Sequence, residues 1–339
     1  LKSDGAPAVA SRWLQRLNQL TRGLQLDQRL KPATPFAELA RTVNQVGPAK
    51  PIKPPAPTPP VATRPRRLSV TEIETWLRDP YAIYAKHVLR LRALDPLEAE
   101  IGPMERGSIL HKSLELFVRK YPHDLPANPA AELAAIAEGV FAEAHLPKAV
   151  LALWRPRFLR AVLWFAEVEA GRRAAIAESF VEISGQKDFD GPAGSFRLVG
   201  KADRIDRLKA SGAVILDYKT GAPPSEKQVV AQLSPQLPLE AAILAAGGFK
   251  EIGPEKAAEL IYIRLTGGTP SGEYRPLKAD AMTLAADAEA RLIKRIALFD
   301  EEATAYDSRV APMFAKGEGD FDHLARVREW SMSGWGEEA

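Results

Sequence analysis

The chain has 339 residues, more than one typical domain holds, and 46% of them are hydrophobic, enough for a sizeable core. It contains no cysteine, which excludes disulfides, zinc–thiolate sites and iron–sulfur clusters held by this chain; a reducing, cytoplasmic setting is expected. No 18-residue apolar run is present, so no membrane span is expected. Net charge is +3, but the first 67 residues carry 12 Lys/Arg against 3 Asp/Glu, roughly +9, and the remainder about −6. Such a basic arm suits nucleic acid or an acidic partner, and equally a solvated linker flank.

In chain order, Trp13, Leu14, Leu17, Leu20 and Leu24 recur at helical spacing, with Ser11 placed to cap. From Gly47 to Pro65 proline recurs among Ala, Thr and Lys, which predicts a semi-rigid polyproline spacer. The chain is therefore divided into a helical segment (1–46), a linker (47–67) and a main domain (68–339). Ser69-Val70-Thr71-Glu72 is a capping-box pattern ahead of Ile73, Trp76 and Leu77 on one face. Asp79-Pro80 ends that helix and opens another, with Asp79 as cap. Helices are predicted near 104–121, 130–145 and 147–178, the last broken or kinked at Pro156. Strands are predicted at 180–185, 196–208, 213–219 and 259–265, with helices around 226–246 and 279–306. The main domain is thus α/β, a small mixed sheet flanked by helices.

Two apolar strands deliver the charges of interest. Gly200-Lys201-Ala202-Asp203-Arg204-Ile205-Asp206 and Ile215-Leu216-Asp217-Tyr218-Lys219 read as a hairpin about Ala210-Ser211-Gly212. Alternation puts Asp217 and Lys219 on one face, and antiparallel pairing brings Asp203 near them. Charges at the ends of such apolar strands are costly unless paired or metal-bound. Two carboxylates to hold a hard cation and a lysine to orient or deprotonate water are what metal-assisted phosphodiester cleavage requires. Asp206 falls on the opposite face and is expected to pair with Arg204 or Arg207. His111 and Glu115, four apart on a helix, share a face. Gln232 and Gln236 follow the lysine strand and could position a phosphate or water. The Gly194…Gly200-Lys201 run is one residue too long for a phosphate-binding loop, and Ala202 replaces its Ser/Thr. Trp154 and Trp164 are assigned to helix packing, with stacking on single-stranded DNA as the alternative for one of them.

Taken together, Gly107…His111…Glu115, Gly200-Lys201-Ala202-Asp203, Asp217-Tyr218-Lys219-Thr220-Gly221 and Gln236-Leu237-Pro238-Leu239-Glu240 resemble the RecB-like branch of the PD-(D/E)XK nuclease superfamily, over about residues 68 to 265. More narrowly, 234–244, 262–268, 322–327 and the opening Asp4-Gly5-Ala6-Pro7 resemble the C-terminal part of the alphaproteobacterial AddB family, one subunit of AddAB helicase–nucleases. The resemblance implies a restriction-endonuclease-like core preceded by the helical end of a helicase-like region. It implies Mg²⁺ (or Mn²⁺) held by His111, Asp203, Asp217 and the Tyr218 carbonyl, with Lys219 assisting the attacking water and Gln236 holding substrate or metal-bound water. It further implies a DNA single strand as substrate, processing of double-strand-break ends, and an AddA-type helicase–nuclease subunit as partner. A stand-alone single-strand exonuclease and a non-catalytic DNA-binding scaffold are the rival expectations. The sequence departs from the family at two places. Four cysteines that many AddB domains carry are absent, with Asp79-Pro80 where Cys-Pro is expected, so that packing of Trp76, Tyr81 and Trp330 must serve instead. Glu240 stands where tyrosine is common.

Overall fold

The computed structural model describes residues 2–3, 6–7, 9–30, 36–45, 52–94, 102–311 and 319–331. Two compact units divide the chain, residues 1–52 and 53–339. In the first, the Ser11 hydroxyl accepts the Leu14 N–H and opens a helix over Arg12–Gly23. A second helix spans Phe36–Val43. Asp4 and Gly5 of the opening motif, and Gly47, Pro48 and Pro51 of the predicted spacer, lie outside the described residues.

From Lys53 onward the proline-rich run belongs to the second unit. The Pro57 carbonyl accepts the Tyr306 N–H at 2.9 Å, and Pro59 is buried. The buried Arg64 guanidinium donates to the carbonyls of Pro59, Phe299, Glu301 and Glu302. Here the run is tied to the body rather than standing free, because one arginine satisfies carbonyls that a helix end leaves without partners.

Six strands build the sheet of this unit: β1 (Arg67–Ser69), β2 (Ile176–Gly191), β3 (Gly194–Leu208), β4 (Ala213–Lys219), β5 (Ala257–Leu265) and β6 (Gly272–Pro276). Their order is β1-β3-β4-β5-β6, with β2 paired to β3. The β1–β3 and β4–β5 pairs are parallel and the others antiparallel, so the sheet is mixed. Because β2 takes one edge of β3 along its length, β1 and β4 share the other edge, β1 at 197–199 and β4 at 204–207. The predicted β3–β4 hairpin is present, closed by Gly212 at φ +77°.

Helices cover both faces. On one side α1 (Val70–Arg78), α5 (Gln236–Ala245) and α6 (Ala281–Phe299) enclose Trp76, Leu198, Ile215, Leu239 and Leu292. On the other, α2 (Pro103–Lys120), α3 (Pro129–Glu143) and α4 (Lys148–Arg173) enclose Leu114, Phe117, Phe165, Leu216 and Ile263. The Ser69–Glu72 capping box opens α1 as predicted. α5 is buried from Leu237 to Leu244. It lies so close over β3 that a side chain on Gly200 would place its Cβ 3.1 Å from Ile243 Cδ1.

Several predicted boundaries move. α4 runs unbroken through Pro156, whose ring lies on the exposed side of the helix, where the missing N–H costs least. The helix expected over 226–246 splits into Glu226–Val230 and α5; Gln232 at φ +60° and Pro235 end helical geometry between them. Asp79 makes no cap with its side chain; its Oδ1 accepts the Arg309 N–H at 3.1 Å, and Arg309 Nε in turn donates to Asp322 at 2.9 Å. Tyr81 packs with Ala325, Val327, Phe321 and Trp330, whereas Trp76 stacks on Phe196 in the main core. Of the three aromatics expected to pack together, Tyr81 and Trp330 share one cluster and Trp76 lies in another.

Candidate active site

β3 and β4 pair as far as Arg204 and Leu216 and then part. The next residue on each strand is an aspartate, Asp203 and Asp217. Where the ladder stops, Asp203 Oδ2 accepts the Tyr218 N–H at 2.9 Å, so a side chain satisfies the backbone donor that the strands no longer pair.

His111 arrives from α2. Its Nε2 lies 2.9 Å from the Tyr218 carbonyl oxygen. A carbonyl only accepts, so Nε2 carries the hydrogen and Nδ1 faces Asp203 Oδ1 at 3.5 Å. Burial alone would lower the imidazole, but the Asp203 carboxylate beside it raises its pKa overall.

Asp217 is 2% exposed. Lys219 Nζ donates to its Oδ1 at 2.9 Å, and Gln236 Nε2, from α5, donates to the same oxygen at 2.8 Å. The other oxygen, Oδ2, lies 2.7 Å from the same Lys219 Nζ, so the ammonium faces both carboxylate oxygens. Burial pushes the Asp217 carboxyl up to about 6, against the pull of Lys219. Burial opposes the Lys219 charge too, yet Asp217 outweighs it and raises the ammonium. The raised Lys219 ammonium presents N–H donors to Asp217 and Gln236. Its Nζ also lies 3.4 Å from Gln236 Oε1, so one amide bridges acid and ammonium.

One turn further along α5, Glu240 Oε1 accepts from Gln236 Nε2 at 3.2 Å. Glu240 is 1% exposed, and burial, then the charges of Asp217 and Asp203, raise its carboxyl well above the usual range. It forms the inner wall of the site, continuous with the Asp217–Gln236 set.

Other sequence candidates fall outside. Glu115 is engaged by Lys112 at 3.0 Å and Arg119 at 2.9 Å. Gln232 is buried, and neither amide atom finds a hydrogen-bond partner among the described residues. Asp206, as expected, pairs with Arg204 (2.6 Å), and also with Arg172 (2.8 Å). The fully buried Arg204 further holds Glu169 at 2.8 Å and lies 3.5 Å from the Tyr218 hydroxyl. This charged network sits under the sheet on the α4 side and supports the strand ends that carry Asp203 and Tyr218.

One residue was not anticipated. Glu182 on β2, at φ +54°, lies between Val181 and Ile183, which pair with Arg204 and Ala202 on either side of Asp203. Ligand atoms of His111, Glu182 and Asp203 all lie within 4.8 Å of one another. The only signal in the sequence was a carboxylate flanked by Val181 and Ile183, which reads as an ordinary outward-facing strand charge.

The donor set of His111, Glu182 and Asp203 suits a divalent cation, because it combines one imidazole nitrogen with hard carboxylate oxygens. Asp217 is not part of that group, and both its oxygens face the Lys219 ammonium. A small hollow of about 20 Å³ is lined by Arg106, Leu110, Trp154, Arg157, Phe158 and Thr220. Thr220 directly follows Lys219, and Arg106 lies five residues before His111 on α2. No helix among the described residues is long and apolar enough to cross a membrane.

The chain is 32% identical over 185 residues to an uncharacterized protein of Rickettsia bellii (strain RML369-C), the match covering 55% of this chain and 22% of that protein. It is likewise 32% identical over 189 residues to an uncharacterized protein of Rickettsia typhi (strain ATCC VR-144 / Wilmington), with 55% and 22% covered. The chain thus spans about a fifth of the length of the curated relatives it matches. The crystal structure of SSO0001 overlaps with a TM-score of 0.30 and 12% identity, over 76% of this chain and 83% of that one, too loose a likeness to bear on fold or function. The family model described as the PD-(D/E)XK nuclease superfamily matches residues 67–315, which contain every strand and helix of the site. By that match the chain belongs to the PD-(D/E)XK nuclease superfamily.

Proposed function

We propose that this chain is a divalent-metal-dependent deoxyribonuclease of the RecB-like kind, hydrolysing phosphodiesters of a single DNA strand. The observation that carries the reading is one connected set, His111–Tyr218–Asp203 and Asp217–Lys219–Gln236, gathered from two helices and two strands. His111 Nδ1, Asp203, Asp217 and the Tyr218 carbonyl would hold Mg²⁺ or Mn²⁺. Once bound, the cation supplies Lewis-acid stabilisation of the charge that develops on the scissile phosphate. Lys219, fixed by Asp217 and Gln236, offers its remaining N–H to a phosphate oxygen or to the attacking water. Gln236 holds both partners in place and Glu240 backs it. Water attacks phosphorus, the P–O3′ bond breaks, and a 5′-phosphate and a 3′-hydroxyl remain. Arg106 and Arg157, which line the small hollow, suit the backbone of the incoming strand.

In the finer reading the chain is the C-terminal part of an AddB-type subunit. It works in the cytoplasm with an AddA-type helicase–nuclease on double-strand-break ends, residues 1–46 being the end of a helicase-like region. The much greater length of the relatives supports a nuclease module carried on a larger polypeptide. The test is cleavage of end-labelled single- and double-stranded DNA by the chain, alone and with an AddA-type partner, in Mg²⁺, in Mn²⁺ and in chelator. Metal-dependent cutting lost in Asp217→Asn supports the nuclease reading, and stimulation by the partner supports the AddB reading. No cutting under any of these conditions overturns the first, and efficient processive cutting without a partner overturns the second.

A further inference from the structure

Glu182 is the residue at the site that the proposed chemistry leaves without a task. Its carboxylate lies within 4.8 Å of the ligand atoms of both His111 and Asp203. Its backbone is left-handed at φ +54° in the middle of a 16-residue strand, a conformation that strains any residue with a side chain and persists only where the surroundings hold it. Its present partner is Lys201 Nζ at 2.5 Å, from a lysine whose side chain is 59% exposed and free to swing into solvent. One further feature points to a cation at this place. His111 Nδ1 carries a lone pair toward the Asp203 carboxylate, an arrangement that only a proton or a cation between them relieves.

We infer that Glu182 is a further carboxylate of the divalent-cation site, and that Lys201 neutralises it until the cation arrives and displaces the ammonium. The inference rests on the metal-dependent reading of His111 and Asp203. It adds a donor from a third strand and an internal competitor for the ion. An exposed lysine competes weakly, because its charge is screened and its side chain gains freedom on release. The strained backbone then has a function, since extended geometry would aim the carboxylate elsewhere.

The test uses the full chain and Mn²⁺ as the probe, with binding measured by titration calorimetry and by electron paramagnetic resonance. Glu182→Gln keeps the shape of the side chain and is expected to weaken Mn²⁺ about 10-fold, within the range that lost metal-shell groups show. Asp203→Asn is expected to weaken it more than Glu182→Gln. Lys201→Met is expected to tighten Mn²⁺ by about 2–3-fold, the effect of removing a weak surface ion pair. Circular dichroism on each variant confirms that it is folded. Unchanged Mn²⁺ affinity in Glu182→Gln while Asp203→Asn loses the ion overturns the role of Glu182 and leaves the nuclease reading standing. Equal or weaker binding in Lys201→Met overturns the competition. Parental binding in Asp203→Asn removes the site itself, and both readings fall together.

Discussion

His111 Nε2 lies 2.9 Å from the Tyr218 carbonyl oxygen, which turns its other ring nitrogen to the Asp203 carboxylate. Protons and the proposed cation would therefore compete for the same atoms. The His111 pKa is raised by Asp203, and Asp217 is pushed up to about 6 by burial. Both groups must be deprotonated to bind a cation. DNA cleavage and Mn²⁺ affinity are predicted to fall together as pH drops below about 7, measured at fixed Mn²⁺ concentration. Saturating metal is predicted to move the midpoint to lower pH, because the ion then outcompetes the proton.

Lys219 is held protonated, so its proposed work is donation. Lys219→Ala is predicted to lower the cleavage rate by about 10²–10³-fold, the usual loss for a donor aimed at developing charge. Mn²⁺ affinity should stay within about threefold, since an ammonium has no lone pair to offer the ion. Single-turnover cleavage beside a metal titration separates the two. Equal losses in both would mean that the lysine only props Asp217.

Glu240 carries a stability prediction. Its folded pKa is raised above 4.5 by burial and by Asp217 and Asp203. A raised acid contributes stability that is fully present below about pH 4.5 and is lost as pH rises toward the folded value. A tenfold difference in proton affinity between the folded and unfolded chain is worth about 1.4 kcal/mol. Glu240→Gln keeps the Gln236 contact without the charge. It is predicted to raise the melting temperature at pH 8 in chelator and to leave it unchanged at about pH 4. Thermal unfolding at the two pH values checks this.

Arg204 is fully buried between Glu169 and Asp206. Arg204→Met leaves two buried carboxylates short of their counter-charge, a change that costs about 3–5 kcal/mol when one partner of a buried pair is removed. Denaturant unfolding should show that loss. In the parent chain the Glu169 carboxyl is lowered to about 2, burial being outweighed by the arginines. Its contribution is therefore present above about pH 4.5 and disappears as pH falls toward 2.

The hairpin bearing Asp203, Asp217 and Lys219 was legible because charges terminate two runs of apolar residues, a pattern with few explanations other than a site. Gln236 was legible only as a weak suggestion; what decides it is α5 packing over Gly200, a tertiary contact. Glu182 was hidden because strand alternation assigns a charge between Val181 and Ile183 to solvent, and nothing local announces its left-handed backbone. β2 was predicted as six residues and has 16, since its outer half alternates with Lys187, Asp188 and Asp190 and lacks an apolar run. β6, Gly272–Pro276, is short, charged and at the sheet edge, so it carried no strand signal. The proline run was read from composition, which cannot show that Arg64 ties it to the end of α6.

The most direct measurement is cleavage of a 5′-labelled single-stranded DNA by the purified full chain, with Mn²⁺ and with chelator, beside Asp217→Asn. The account predicts cutting with Mn²⁺, none with chelator, none by the variant, and products with 5′-phosphate ends. Cutting by Asp217→Asn at the parental rate, or cutting that persists in chelator, would contradict it.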